Sequence, residues 1–354
     1  MAPRTHRPIR QALALLPLLA IAACGGGDSP ASPDAGGGGD REPPPPGPGP
    51  WLSVTPIPLE RVVRITPLGH NNNVIPTGHT YWDVCDIWSL LPSGQCNRER
   101  LPIQAPMDGV VADVDPQDDG TVVLEGPPRL YVRFGHVTAR PGLQSGDSVQ
   151  AGDTVATMYF DHGFDFGVIH FGLEPHPFIR PERTPLSYRY SQSPIAQYPE
   201  PLRSQLVARV QTFADPLGEL SFDLAGTAQG NWFREGTPLE EAFSPANEPG
   251  HLFMGPLQER RELRILSVGE AWEGSFRGLT VIDPAAPDWK DITPSTGPIA
   301  LIAWNLGSDA APNYVFPRGT WLLEMLSETR LRLEWFEGHQ EPAGFTAAAR
   351  IYER

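Results

Sequence analysis

The residues best equipped for chemistry in this chain are a few histidines and carboxylates. Thr77-Gly78-His79-Thr80-Tyr81-Trp82-Asp83 puts an imidazole and a carboxylate four residues apart, and Val168-Ile169-His170-Phe171 adds a second imidazole much further on. Two imidazoles and one carboxylate, with a fourth position left open, form the donor set of a catalytic zinc ion. A His-x-x-x-Asp alone occurs by chance in many chains, so the assignment of His79, Asp83 and His170 depends on their context. Asp86, three residues beyond Asp83, competes with it as the carboxylate ligand. His70 in a polar Asn-rich stretch, His162 in a glycine-bounded loop and His176 between two prolines read first as loop and surface groups.

The elements that must position these groups are short β-like runs punctuated by Gly and Pro. Arg61 to Ile65, Gly109 to Val114, Thr121 to Leu124, Leu130 to Phe134, Thr154 to Tyr159 and Phe166 to Leu173 read as strands of a first domain over residues 51–186. Leu202, Leu206, Val207, Val210 and Phe213 recur at helical spacing behind Pro201, with Arg203, Gln205 and Arg209 between them, which predicts one amphipathic helix. Glu219 to Leu224, Ile299 to Trp304, Trp321 to Met325 and Arg330 to Trp335 return to strand patterns. The expected architecture is therefore mostly β: an antiparallel β domain, then a second β-rich domain over residues 200–354 carrying the one helix.

Outside these domains the sequence reads as export machinery. Arg4, Arg7 and Arg10 precede an apolar run from Ala12 to Ala23, a signal peptide over residues 1–23 that is too short for a bilayer span. Ile21-Ala22-Ala23-Cys24 resembles the lipobox of bacterial lipoproteins, which implies cleavage before Cys24 and lipidation of its thiol. Residues 24–50, almost all Gly, Pro, Ser, Ala and Asp, form a tether with nothing to bury. The expected location is the cell envelope, anchored to a membrane through lipid. In an exported chain the remaining pair, Cys85 and Cys96, points to a disulfide. With 27 basic and 42 acidic side chains, net −15, the chain is a poor partner for nucleic acid.

Between the two histidine segments lie Ala105-Pro106-Met107-Asp108-Gly109-Val110-Val111, then Phe134-Gly135-His136-Val137, then Gly146-Asp147-Ser148-Val149-Gln150-Ala151-Gly152. In this order and spacing the first domain resembles the lysostaphin/LytM-type zinc metallopeptidases. Their domains show a His-x-x-x-Asp, an Ala-Pro-x-x-Gly-x-Val strand, a Tyr-x-His-Leu-like strand, a Gly-Asp-x-Val-x-x-Gly turn and a closing His-x-His-Phe. The resemblance covers roughly 120 residues and implies a small antiparallel fold with a groove that acts on peptidoglycan peptides. It makes His79, Asp83 and His170 the zinc ligands and His136 the catalytic histidine that steadies the tetrahedral intermediate.

One position departs from the family pattern. The first histidine of His-x-His, the family's general base, corresponds to Val168, and an isopropyl group accepts no proton. Loss of a general base costs about 100- to 10,000-fold in rate. The domain is then a wall-peptide binder or regulator that has lost hydrolysis, a peptidase with another base such as His162 or His176, or a slow enzyme. The C-terminal half holds Trp272, Trp289, Trp304, Trp321 and Trp335, read as core before carbohydrate-binding face.

Overall fold

The computed structural model describes residues 49–70, 74–85, 99–126, 129–210, 215–238, 250–258, 260–269, 278–304 and 317–354. The leader, Cys24, most of the tether, Asp86, Cys96, Phe213 and Trp272 lie outside these residues. The chain is mostly β, as its alternating runs require. Ten strands form one sheet: β1 (Arg64–Thr66), β2 (Thr80–Asp83), β3 (Pro102–Gln104), β4 (Gly109–Val114), β5 (Gly120–Gly126), β6 (Leu130–Ala139), β7 (Ser148–Val149), β8 (Thr154–Met158), β9 (Gly163–His170) and β10 (Ser191–Gln192). Its main path runs β1-β2-β9-β6-β5-β4-β7, with β10 on β9 and β8 bridging β3 to β6.

The sheet has two chemically different faces because side chains alternate along a strand. Phe164, Phe166 and Val168 of β9 and Leu130, Val132 and Phe134 of β6 point into one apolar core with Trp82, Ile103, Val122 and Leu124. The odd-numbered residues of β9 and β6, among them Asp165, Gly167, Arg133 and Gly135, take the opposite face. β6 is the longest strand of the sheet and changes partner along its length. Its first part pairs with β9, ending at Gly135 opposite Asp165, and its last part pairs with β8 from Val137. His136 falls between the two registers.

Strands β11 (Gly230–Arg234), β12 (His251–Leu257), β13 (Arg260–Val268), β14 (Gly278–Ile282), β15 (Ile299–Trp304), β16 (Pro317–Ser327), β17 (Arg330–Glu337) and β18 (Arg350–Glu353) close into a barrel in sequential order. Every pairing in it is antiparallel, and β18 returns to β11 through Phe233 opposite Glu353. Trp232, Met254, Leu266, Trp289, Trp321, Leu323, Leu333 and Tyr352 fill the barrel core. Eight strands enclose an interior wide enough for side chains to fill. These tryptophans are therefore core, with Trp321 and Trp289 almost wholly buried.

Two expectations shift. The helix is only Leu202–Val207, and Leu206 packs with Ile195 and Tyr198 in the core of the first sheet, not with the barrel. β10 adds a strand to β9 and carries the chain back across the sheet. Glu219 to Leu224 forms no named strand. Instead Asp223 accepts hydrogen bonds from the Ile179 and Asn231 backbone N–H groups and ties that segment to both regions. Among the described residues no helix is long and apolar enough to cross a membrane.

Candidate functional site

The polar face of β9 collects the reactive groups around one side chain that sequence reasoning did not single out, Asp165. Register places Asp165 opposite Tyr81 of β2 and Gly135 of β6. His79, just before β2, brings Nε2 to 3.3 Å from Asp165 Oδ2, and His136 brings Nε2 to 3.6 Å from the same oxygen. The second oxygen, Oδ1, is buried and has no hydrogen-bond partner. His79 Nε2 likewise makes no hydrogen bond of acceptable geometry. A buried carboxylate oxygen and imidazole nitrogen left open side by side are costly unless something binds them.

Backbone irregularity aims His136. As the odd residue between two registers it forms a β-bulge, and its φ is 58°, in the left-handed region. A regular strand would send its side chain into the core beside Phe134; the bulge turns it outward instead. Asp119 then fixes the ring, with Oδ1 2.8 Å from His136 Nδ1. A carboxylate on the far nitrogen of an imidazole sets its orientation and leaves Nε2 available as a lone-pair donor. Gly135 makes room for this arrangement, since a Cβ there would stand 3.0 Å from Asp165 Oδ2.

The electrostatics keep His79 neutral. Burial pushes its imidazole down to about 4, an effect that Asp165 opposes and Arg133, His136 and His70 reinforce. Tyr81 packs edge-on against both His79 and His70. On the other side of the site Phe160 lies against His136 and stacks on His162. The cluster is thus walled by aromatic rings, and His162 stands in that wall without contacting Asp165.

The expected set of His79, Asp83 and His170 is not brought together. Asp83 shares the polar face but pairs with Arg64, whose Nε donates to Oδ2 at 2.7 Å. His170 lies five residues beyond Asp165 on β9, roughly 16 Å at strand rise, and its even position points into the apolar core. It is fully buried, its ring centroid is 6.1 Å from that of Trp51, and neither ring nitrogen has a partner. Desolvation lowers its pKa. Val168 shares that face, as alternation requires, but the face is core, and Val168 is fully buried. His176 is occupied in a 2.6 Å hydrogen bond with the Ser191 carbonyl. Cys85 is buried and disulfide-bonded.

Among the described residues no group of three or more His, Cys, Asp or Glu side chains is placed to hold a metal ion. His79, Asp165 and His136 supply two edges of a donor set and not a closed one. Ligands about 2.0–2.2 Å from a tetrahedral zinc stand about 3.3–3.6 Å apart, and the two edges meeting at Asp165 Oδ2 measure 3.3 and 3.6 Å. The signal for Asp165 was in the sequence: in Gly163-Phe164-Asp165-Phe166-Gly167 a carboxylate alternates with large apolar residues, as on a half-buried strand.

No family model matches this chain, and no curated protein matches it in sequence. Solved structures with partial likeness include Csd3 from Helicobacter pylori, at 18% identity and TM-score 0.26, with 34% of this chain and 32% of that one covered. The catalytic domain of a point mutant of the prophage-encoded M23 protein EnpA from Enterococcus faecalis is 16% identical, with TM-score 0.26, 33% of this chain and 87% of that one covered. The catalytic domain of the antimicrobial peptidase lysostaphin from Staphylococcus simulans is 15% identical, with TM-score 0.20, 30% of this chain and 76% of that one covered. The chain spans about a third of the length of the Helicobacter protein.

Proposed function

We propose that the first β unit is a metallopeptidase-like groove for peptidoglycan peptides, carried on an exported lipoprotein, with His79, Asp165 and His136 as its zinc-binding residues. The observation that carries this reading is the convergence of two imidazoles on one half-satisfied buried carboxylate. The sequence blocks shared with the lysostaphin/LytM-type enzymes supply the substrate class. Zinc bound there would polarise a scissile carbonyl and lower the pKa of water. The residues themselves do the positioning: Asp119 fixes the His136 ring and burial holds His79 neutral. In this reading lipid on Cys24 tethers the domain to a membrane, and Cys96 closes the disulfide on Cys85 at the end of β2.

The test is metal content of the purified protein after zinc loading. About one ion per chain is expected, lost in His79→Ala and Asp165→Ala and kept in His170→Ala and Asp83→Asn. Loss in the His170 variant with retention in the Asp165 variant would return the site to the ligands expected from the family pattern. No zinc in the native chain would end the metal reading.

A second reading, a wall-peptide binder without hydrolysis, is favoured by one observation. Arg64 already neutralises Asp83, the carboxylate that the family pattern assigns to the metal. Retention of peptidoglycan without release of fragments by the zinc-loaded protein would select it.

A further inference from the structure

The polar face of the sheet carries a cation, Arg133, that the site does not use. Arg133 lies on β6 opposite Gly167, on the same face as Asp165. A Cβ at Gly167 would stand 3.4 Å from that of His79 and 3.9 Å from that of Arg133, so the two side chains leave the sheet beside each other. Further out, a methyl group at Gly135 would lie 3.0 Å from Asp165 Oδ2 and 3.5 Å from a terminal nitrogen of Arg133. The guanidinium and the site carboxylate therefore both border the space above Gly135. Its field already reaches His79, whose protonation it opposes.

Arg133 is only partly buried and forms none of the side-chain hydrogen bonds or ion pairs found among the described residues. Arg64, separated from β6 by the two strands β2 and β9, is by contrast committed to Asp83. A guanidinium presents a planar fork that matches a carboxylate bidentately and is only weakly hydrated. In a chain with 42 acidic side chains, an arginine left free beside a cluster of donors is placed to receive an acid from outside.

We infer that Arg133 binds the C-terminal carboxylate of the peptide in the groove, so that the domain takes free peptide ends in preference to internal segments. Successive residues of a chain are about 3.8 Å apart. A carboxylate held at Arg133 thus leaves one residue, or two at most, before the carbonyl that reaches the His79–Asp165–His136 cluster. The inference rests on the groove reading proposed above and adds to it the polarity of the substrate and the end from which it is engaged.

The test is calorimetric binding of pentaglycine and tri-D-alanine, each as free acid and as C-terminal amide, to the full chain with one equivalent of zinc. A hydrogen-bonded ion pair predicts a preference for the acid of roughly 10- to 100-fold. Arg133→Gln should erase that preference while leaving amide affinity and zinc content unchanged, and Arg133→Lys should restore part of it. Equal affinity for acid and amide in the native chain, an acid preference that survives in Arg133→Gln, or no binding of any of the four peptides would each overturn the inference. Zinc content separates the two ideas. If acid preference depends on Arg133 but zinc does not bind, the anchor stands and the metal reading falls.

Discussion

The ten-stranded sheet and the eight-stranded barrel are built from similar antiparallel strands but spend their second face differently. The barrel curls inward until both edges meet, so one face encloses Trp321, Leu323 and Leu333 and little polar chemistry is left inside. Where a polar group is buried there, it tends to be paired locally: Trp321 Nε1 donates to Thr280 Oγ1, which donates to the Leu266 carbonyl. Among the described residues of the apolar barrel core, the indole N–H groups of Trp289 and Trp335 make no hydrogen bond. The sheet keeps one face for its core and leaves on the other an open imidazole and carboxylate, His79 and Asp165. Stability is concentrated in the first arrangement and reactivity in the second, because close packing and unsatisfied ligands cannot occupy the same space.

That contrast can be broken most directly from the barrel side. Trp321→Ala should cost about 3–5 kcal/mol by removing a fully buried indole, read as a fall in the urea midpoint, with zinc content unchanged. A change in zinc binding would show that the two regions are coupled.

Protonation probes the same packing. Burial lowers the His251 pKa from 6.5 to about 4. Above pH 6.5 the imidazole is neutral both folded and unfolded, and stability is full. As pH falls from 6.5 toward 4 the unfolded chain takes up the proton first and stability drops, by about 3 kcal/mol at most. His251→Phe, which keeps an aromatic ring against Phe233, should flatten the fall in urea midpoint between pH 7 and pH 4.5.

On the sheet, Val168→His separates the family pattern from the structure. If Val168 faced a groove, the imidazole would be tolerated and would add a proton acceptor. Because it faces the core, the variant should lose about 1–3 kcal/mol for a buried group without partners, measured by denaturant unfolding, and gain no hydrolysis of peptidoglycan. The smallest expected effect is Asp119→Asn. Removing the charge that orients His136 should weaken zinc affinity about 10- to 100-fold in a competition titration while leaving the melting temperature where it was.

Much of the frame was legible without coordinates. Gly109 to Val114 and Ile299 to Trp304 are strands with the bounds that their patterns suggest. The helical spacing behind Pro201 gave a helix as well, but a shorter one belonging to the first core, since periodicity marks an apolar face without naming what covers it. Barrel closure was not legible, because it depends on β18 finding β11 across more than a hundred residues.

At the site, sequence by itself determined the inventory: His79 and His136 as candidate histidines, an apolar residue at Val168, and an acidic chain. Tertiary structure decided which of these groups meet. Along β9 the side-chain period is two, so Asp165 and His170 take opposite faces, and a choice between odd and even positions moves a residue from groove to core. Only the pairing of β9 with β2 and β6 fixes which face is which, and only the bulge at His136 turns that imidazole toward Asp165. Those are long-range backbone hydrogen bonds, and no local pattern of residues encodes them.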